Sequence, residues 1–155
     1  VMKHLIQFTD RKVVFKDSTF IVMVVGGPNE RTDFHVNETD EFFYQIEGEM
    51  NLRTVQDSKF VDVPIKAGEI YMLKAGTPHS PQRFIDSVGM VVEKTRQEDE
   101  KDTLSWYCKK CCHKLYEESF HLKNIETDFG AVFDRYYGSD HTKCSKCETI
   151  TDRTW

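Results

Sequence analysis

The 155-residue sequence has no cysteine before residue 108, no basic stripe and no run of 18 apolar residues. Without such a run we expect no membrane span, and the start VMKHLIQFTD lacks the apolar core of a secretory signal. Lysine and arginine are scattered through a chain of net charge −5, which argues against nucleic acid as a partner. The five cysteines cluster late instead of spreading as in a disulfide scaffold, so we expect a cytoplasmic protein with metal-binding cysteines.

Short β-branched runs separated by glycine-rich turns fill the chain from about residue 13 to residue 93. The pattern predicts six strands, at residues 20–25, 42–46, 50–55, 60–65, 70–73 and 88–93. Strands spaced about 8–12 residues apart are typical of an antiparallel sandwich or barrel. We therefore predict an all-β fold, with the barrel spanning residues 1–95.

The composition changes at residues 96–102, a charged stretch without apolar residues. We interpret 96–104 as a linker and 105–155 as a C-terminal extension. Apolar side chains at helical spacing predict a helix from Asp128 to Tyr137, with Thr127 or Asp128 at its start and Gly138 at its end.

Three residues have the types and placement of a metal site. His35 and Glu41 flank a predicted turn, and His79 follows a later glycine turn. Two imidazoles and one carboxylate leave coordination positions open, as non-haem Fe(II) oxygenases require, although Zn(II) or Mn(II) also fits these ligands. Asp33 is an alternative to Glu41, because it lies on the same face of a strand as His35.

Two CxxC pairs form a second set of candidate ligands, namely Cys108, Cys111, Cys144 and Cys147. Four thiolates suit a closed, structural iron or zinc site. The alternatives are a pair of redox-active disulfides and a swapped ligand at the adjacent Cys112. Three histidines near these pairs are expected to be ordinary surface residues: His113, His121 and His141.

The frames around the three-residue site resemble the two-block signature of the cupin superfamily. Gly48 follows Glu41 after six residues, and Gly68 and Gly76 precede His79 at the cupin offsets. The usual first histidine is replaced by Asp33, which favours three protein ligands. The resemblance implies a jelly-roll (double-stranded β-helix) barrel.

Longer motifs resemble the 3-hydroxyanthranilate 3,4-dioxygenase family in its bacterial and fungal form, which carries the CxxC pairs. The motifs are GGPNERTDFH (26–35), EFFYQIEG (41–48), GTPHSPQR (76–83) and SVGMVVEK (87–94). The resemblance implies an Fe(II) enzyme that uses O₂ to convert 3-hydroxyanthranilate into 2-amino-3-carboxymuconate semialdehyde, on the kynurenine route to quinolinate and NAD. It further implies a homodimer and a rubredoxin-like Cys₄ segment packed on the barrel.

By position, the resemblance makes His35, Glu41 and His79 the iron ligands and adds polar pocket residues. Arg83 offers a planar fork for the substrate carboxylate. Arg31 can stabilise negative charge that develops on oxygen, and Glu93 can accept a proton from the substrate. Two further pocket candidates come from the C-terminal segment: Ile125 and Glu126.

Each of these residues also has an ordinary structural interpretation, as a solvated charge, a strand-end carboxylate or a helix-entry pair. Two other functions stay open on the residues alone. One is another metal-dependent cupin enzyme, an isomerase or decarboxylase. The other is a binding module that recognises a partner through lysines beside the cysteines, Lys109, Lys110 and Lys146.

Overall fold

The computed structural model describes residues 11–15, 18–124 and 127–153. The helix α1 spans Asp128–Tyr137, and a 3₁₀ turn follows at Asp140–Thr142. The strands are β1 (Arg11–Phe15), β2 (Phe20–Gly26), β3 (Asp33–Val36), β4 (Glu41–Glu47), β5 (Glu49–Gln56), β6 (Lys59–Lys66), β7 (Ile70–Leu73), β8 (His79–Arg83), β9 (Val88–Lys94), β10 (Asp102–Tyr107) and β11 (Lys114–Phe120).

Two antiparallel sheets contain these strands. The five-stranded sheet has the order β1-β2-β9-β4-β7, and the six-stranded sheet has the order β11-β10-β3-β8-β5-β6. Most neighbours in each sheet are distant in sequence, as in a jelly roll of two packed sheets. The predicted all-β fold is confirmed, and each of the six predicted strands is present within one residue of its predicted ends.

The hydrophobic core lies between the two sheets. In β5 the buried positions alternate at Met50, Leu52 and Thr54, because successive side chains of a strand point to opposite faces. The core joins side chains of both sheets: Met23, Phe43, Leu73 and Val91 from the five-stranded sheet, and Met50, Leu52 and Ile65 from the six-stranded one. Burial of each large apolar side chain contributes about 1.5–3 kcal/mol.

The C-terminal part of the chain has a hydrophobic core of its own. Strand β10 pairs with β3 of the barrel on one side and with β11 on the other. Helix α1 packs on β10, and the Trp106 and Tyr136 rings stack with centroids 4.3 Å apart. Leu104, Phe129 and Val132 complete this buried cluster.

The predicted helix is confirmed at Asp128–Tyr137. The backbone N–H groups of Lys123 and Asn124 donate to the Asp128 carboxylate, which fixes the chain entering the helix. At the other end Gly138 donates its N–H to the Asp134 carbonyl.

Strand β10 begins inside the segment 96–104 that we interpret as a linker. Among the described residues, no helix is both long and apolar enough to cross a membrane.

Candidate functional site

The three predicted metal ligands come from both sheets and meet between them. His35 and His79 are directly paired across β3 and β8 of the six-stranded sheet. Glu41 begins β4 of the opposite sheet. All three residues are buried, and their candidate ligand atoms lie within 4.8 Å of one another. The fold therefore brings together two imidazoles and a carboxylate that the sequence separates by up to 44 residues, the distance from His35 to His79.

The contacts of Glu41 and His79 fit a bound cation. The Thr77 carbonyl oxygen lies 3.0 Å from Nδ1 of His79, so that nitrogen carries the proton and Nε2 faces the site. Nε2 lies 2.9 Å from Oε2 of Glu41, yet this buried oxygen has no partner in hydrogen-bond geometry among the described residues. A buried acceptor in this state is costly, and a divalent cation would satisfy it.

The pKa shifts of His79 and Glu41 also favour a positive charge between these two residues. Burial alone would lower the pKa of His79, but the Glu41 carboxylate outweighs burial and raises it. Burial likewise opposes ionisation of Glu41, while the charge of His79 outweighs burial and lowers the pKa of Glu41. Both pKa shifts reflect attraction between the Glu41 carboxylate and positive charge at His79, and a bound cation would supply such a charge at the same place.

Asp33, the alternative metal ligand, forms an ion pair with Arg31 instead. It lies on β3 two residues before His35, but its carboxylate forms a bidentate pair with Arg31, with Nε donating to Oδ1 over 3.1 Å and Nη2 donating to Oδ2. Asp33 is not part of the ligand cluster. Because Asp33 outweighs the opposing effect of burial, the pKa of Arg31 is raised and its charge is secure.

Arg31, Arg83 and Glu93 line one pocket with the three candidate ligands. Arg83 is nearly fully buried. Its backbone N–H donates to Oδ1 of Asn29 over 2.7 Å, and Nη1 donates to Oε1 of Gln45 over 3.4 Å. The structure thus brings together the three polar residues that the sequence predicts for this pocket.

Gly89 makes room for the Arg83 guanidinium. A Cβ atom at residue 89 would lie 2.4 Å from Nη1 of Arg83 and 2.9 Å from Oε1 of Gln45. A side chain at this position would therefore displace the Arg83 guanidinium from its present place. Gly89 and Gln45 belong to predicted strands, but nothing in the sequence pattern alone indicated that either supports the pocket.

Two site residues were missed because they lie in the predicted linker. Oδ2 of Asp102 lies 2.6 Å from Nε2 of His35, and Arg96 pairs with both Asp102 and Glu93. Burial raises the pKa of Asp102, but the hydrogen bonds of His35 and Arg96 outweigh it and lower the pKa to about 2. A clue to Asp102 was available, since it shares a strand phase with the buried Leu104 and Trp106.

The two remaining pocket candidates, Ile125 and Glu126, lie outside the described residues. From the same C-terminal segment, Phe129 reaches the site. Its ring centroid is 5.4 Å from that of His35 and 5.8 Å from Cζ of Arg31.

The four predicted cysteine ligands also meet in space. Sγ of Cys108 lies 3.4 Å from that of Cys147, and Sγ of Cys111 lies 3.7 Å from that of Cys144. Four thiolates about 2.3 Å from a tetrahedral metal would lie roughly 3.8 Å apart, whereas a disulfide needs about 2.05 Å. All five cysteines are free thiols, so the alternative of two disulfides finds no support in the structure.

Cys112 is a turn residue and not a member of the sulfur cluster. It has φ +55° and donates its N–H to the Cys108 carbonyl. Glu148 has φ +60° and donates in the same way to Cys144. The two CxxC turns are therefore local copies of one structure, in which Cys112 and Glu148 take the same place.

Comparisons with known proteins show which family this chain is similar to. The profile of the family described as 3-hydroxyanthranilic acid dioxygenase matches residues 3–137. A 3-hydroxyanthranilate 3,4-dioxygenase of Xanthomonas euvesicatoria is 49% identical over 94% of this chain and 83% of its own length. The enzyme of the same name from Neurospora crassa is 43% identical over 90% of this chain and 77% of its own length.

Solved structures with a similar fold include a cupin-2 domain protein from Shewanella frigidimarina. It is 23% identical, covers 57% of this chain and 82% of its own, and superposes with a TM-score of 0.47.

Proposed function

This chain belongs to the 3-hydroxyanthranilic acid dioxygenase family, and from that premise we propose that it cleaves the ring of 3-hydroxyanthranilate with O₂. The product would be 2-amino-3-carboxymuconate semialdehyde, which takes up both oxygen atoms. We place the reaction on the kynurenine route to quinolinate and NAD. The observation that carries the proposal is the meeting of three candidate metal ligands with Arg31, Arg83 and Glu93 in one pocket.

A metal-dependent dioxygenase needs a cation in this pocket, and we propose Fe(II), held by His35, Glu41 and His79. Bound there, Fe(II) would hold the chelating substrate and O₂ side by side. The unsatisfied Glu41 oxygen and the pocket beside the ligand set support a bound cation, and the choice of Fe(II) follows from the dioxygenase family. The ion pair with Arg31 keeps the Asp33 carboxylate from binding the metal as a further ligand.

Arg83 is proposed to bind the substrate carboxylate. Arg83 is buried, its backbone N–H donates to Asn29, and its guanidinium donates to Gln45 at the pocket wall. A planar guanidinium pairs with a carboxylate through two parallel hydrogen bonds. Such a pair would fix the ring orientation and place the hydroxyl and amine toward the metal ligands.

Glu93 and Arg31 are proposed to act on the reacting groups. Arg96 and Asn37 hold the Glu93 carboxylate at the pocket wall, where it can accept a proton from the substrate hydroxyl or amine. Arg31 keeps its charge beside Asp33 and lines the same pocket, so it can stabilise negative charge that develops on oxygen.

The activity is tested by anaerobic loading with Fe(II), followed by addition of O₂ and 3-hydroxyanthranilate. We expect O₂ uptake and the absorbance of a conjugated ring-opened product. Binding of the metal without O₂ uptake would favour another cupin enzyme, such as an isomerase or decarboxylase, and would refute the proposal.

The role of Arg83 is tested separately with the decarboxylated analogue, 2-aminophenol. Loss of a charged hydrogen-bonded pair costs about 1.5–3 kcal/mol, so we expect Arg83→Ala to raise KM for 3-hydroxyanthranilate about 10- to 150-fold. KM for 2-aminophenol should change far less. An equal rise for both compounds would contradict the carboxylate role.

For the four-cysteine site we propose structural iron or zinc, supported by sulfur separations close to those of a tetrahedral site. We also propose a cytoplasmic location, because four of the five cysteines cluster as candidate metal ligands and are not spread as in a disulfide scaffold.

We further propose a homodimer that buries the outer face of the five-stranded sheet. Two rows of apolar side chains cross this face: Val22, Val92, Phe42 and Met72 in one, and Val24, Met90, Tyr44 and Ile70 in the other. Ile70 is 66% exposed and Met72 is 49% exposed. The solvated face of an antiparallel sheet is normally polar, so an apolar one indicates a partner surface.

Sedimentation tests the dimer. We expect the chain to sediment at twice its 18.2 kDa mass and Met72→Lys to sediment as a monomer. The control is Val61→Lys, which changes a half-exposed valine of the other sheet. A monomeric wild-type chain would refute the proposal.

A further inference from the structure

Arg96 links two buried carboxylates at the candidate metal site, Glu93 in the pocket lining and Asp102 beside His35. One edge of its guanidinium faces Asp102, with Nε donating to Oδ1 over 3.0 Å and Nη2 donating to Oδ2 over 2.7 Å. The other edge faces Glu93, with Nη1 2.8 Å from Oε1 and Nη2 donating to Oε2 over 2.9 Å. The carboxylates of Asp102 and Glu93 are almost completely buried.

The register of the strands explains why this link is needed. Glu93 lies directly opposite Glu41 in the β4–β9 pair, and like charges in that position repel each other. A cation at the ligand cluster would offset Glu41, whereas Arg96 offsets Glu93. The guanidinium fork reaches both Glu93 and Asp102 in one plane, which a lysine ammonium group cannot do.

Asp102 determines which nitrogen of His35 is free. An ionised carboxylate only accepts hydrogen bonds, so the 2.6 Å contact requires the proton on Nε2 of His35. The opposite nitrogen, Nδ1, then keeps its lone pair. In metal sites such a carboxylate fixes the tautomer and the ring orientation of the ligating histidine and makes it more basic.

We propose that Asp102 and Arg96 are positioning residues for the metal centre. Asp102 aims the free nitrogen of His35 at the metal, and Arg96 holds Asp102 and Glu93 in one rigid unit. A metal ligand and the proposed proton acceptor therefore keep a fixed mutual position. The inference rests on the metal site proposed above, but it is independent of the identity of the substrate.

Metal affinity tests the proposal without reference to turnover. The full chain is stripped of metal and given one equivalent of zinc for the four-cysteine site. Co²⁺ is then titrated against a chelator, and the visible Co²⁺ spectrum is recorded. Loss of such a second partner typically weakens metal binding about 10- to 100-fold, so we expect Asp102→Asn to raise the Co²⁺ Kd by that factor and to change the spectrum.

The matched control is Asp62→Asn. It removes the same charge from another bidentate pair, in which Arg53 donates to Asp62 over 2.8 and 3.1 Å on the exposed side of β5 and β6. We expect its Co²⁺ affinity and spectrum to equal those of the wild type. If Asp102→Asn does not fold, Asp102→Ser takes its place with the same expectation.

A double-mutant cycle tests whether Arg96 acts through Asp102. Arg96→Lys should weaken Co²⁺ binding in the wild-type background and change it little when Asp102→Asn is already present, because residues of one network are not additive. Additive effects, or a wild-type affinity in Asp102→Asn, would overturn the proposal. A wild type that binds Co²⁺ normally but, loaded with Fe(II), consumes no O₂ would refute the proposed activity and leave this inference intact.

Discussion

Gly89 is the position where the smallest change should have the clearest effect on substrate binding. An alanine Cβ there would lie 2.4 Å from Nη1 of Arg83, far inside van der Waals contact. The backbone cannot move away, because Gly89 is paired with Val25 on one side and Gln45 on the other. The Arg83 guanidinium must therefore rotate out of its place.

The size of the effect follows from what Arg83 loses. If its fork no longer meets the substrate carboxylate, a charged pair worth about 1.5–3 kcal/mol is lost. That loss corresponds to a roughly 10- to 150-fold decrease in kcat/KM for 3-hydroxyanthranilate. Overpacking in a filled core also lowers the free energy of unfolding by about 1–3 kcal/mol.

The assay compares kcat/KM for 3-hydroxyanthranilate and 2-aminophenol in Gly89→Ala. We expect a large decrease for the first compound and a small one for the second. The control is Gly130→Ala on the exposed face of α1, where a Cβ meets nothing within 4 Å; it should leave both values unchanged and raise the free energy of unfolding by up to about 1 kcal/mol. Equal losses for both compounds in Gly89→Ala would refute the reasoning.

Three further predictions concern the C-terminal part of the chain. Cys144→Ser should remove one equivalent of metal and lower the melting temperature, while turnover per folded molecule stays near that of the wild type; complete inactivity of well-folded protein would contradict a purely structural site. Cys112→Gly should keep the metal content, measured by elemental analysis, and raise the free energy of unfolding by about 1 kcal/mol, because glycine adopts a positive φ without strain. Loss of metal in that variant would instead make Cys112 a ligand. Phe129→Ala should lower the free energy of unfolding by about 3–5 kcal/mol in denaturant titrations, since it empties a buried site; a change below about 1 kcal/mol would show that α1 packs loosely on the barrel.

Local sequence patterns were sufficient to predict α1 and six of the nine strands described before residue 95, but not β1, β3 and β8. The β-branched runs and the glycine turns are local features, and the helix has apolar side chains at regular spacing. The ligand types of the metal site and both CxxC pairs were equally visible. What the structure adds for these residues is their convergence, with His35 paired directly to His79.

Residues 96–102 could not be predicted in the same way. A run of charged residues normally lies in solvent, and apart from the strand phase that Asp102 shares with Leu104 and Trp106, nothing local distinguishes Arg96 and Asp102 from their neighbours. Both become site residues only because β10 pairs with β3 and brings Asp102 beside His35. The support that Gly89 gives to Arg83 is hidden for a similar reason, since it depends on a contact between β8 and β9.

Because the metal ligands are divided between two sheets, the hydrophobic core between the sheets influences which ionic radius the site accepts. His35 and His79 belong to one sheet and Glu41 to the other. The thickness of the hydrophobic core therefore sets the distance between the two histidines and the glutamate. Phe43 and Leu73 form part of this hydrophobic core close to Glu41. Smaller or larger side chains at these positions would change the preferred ionic radius. Selection among similar metals would then depend on residues that do not contact the metal.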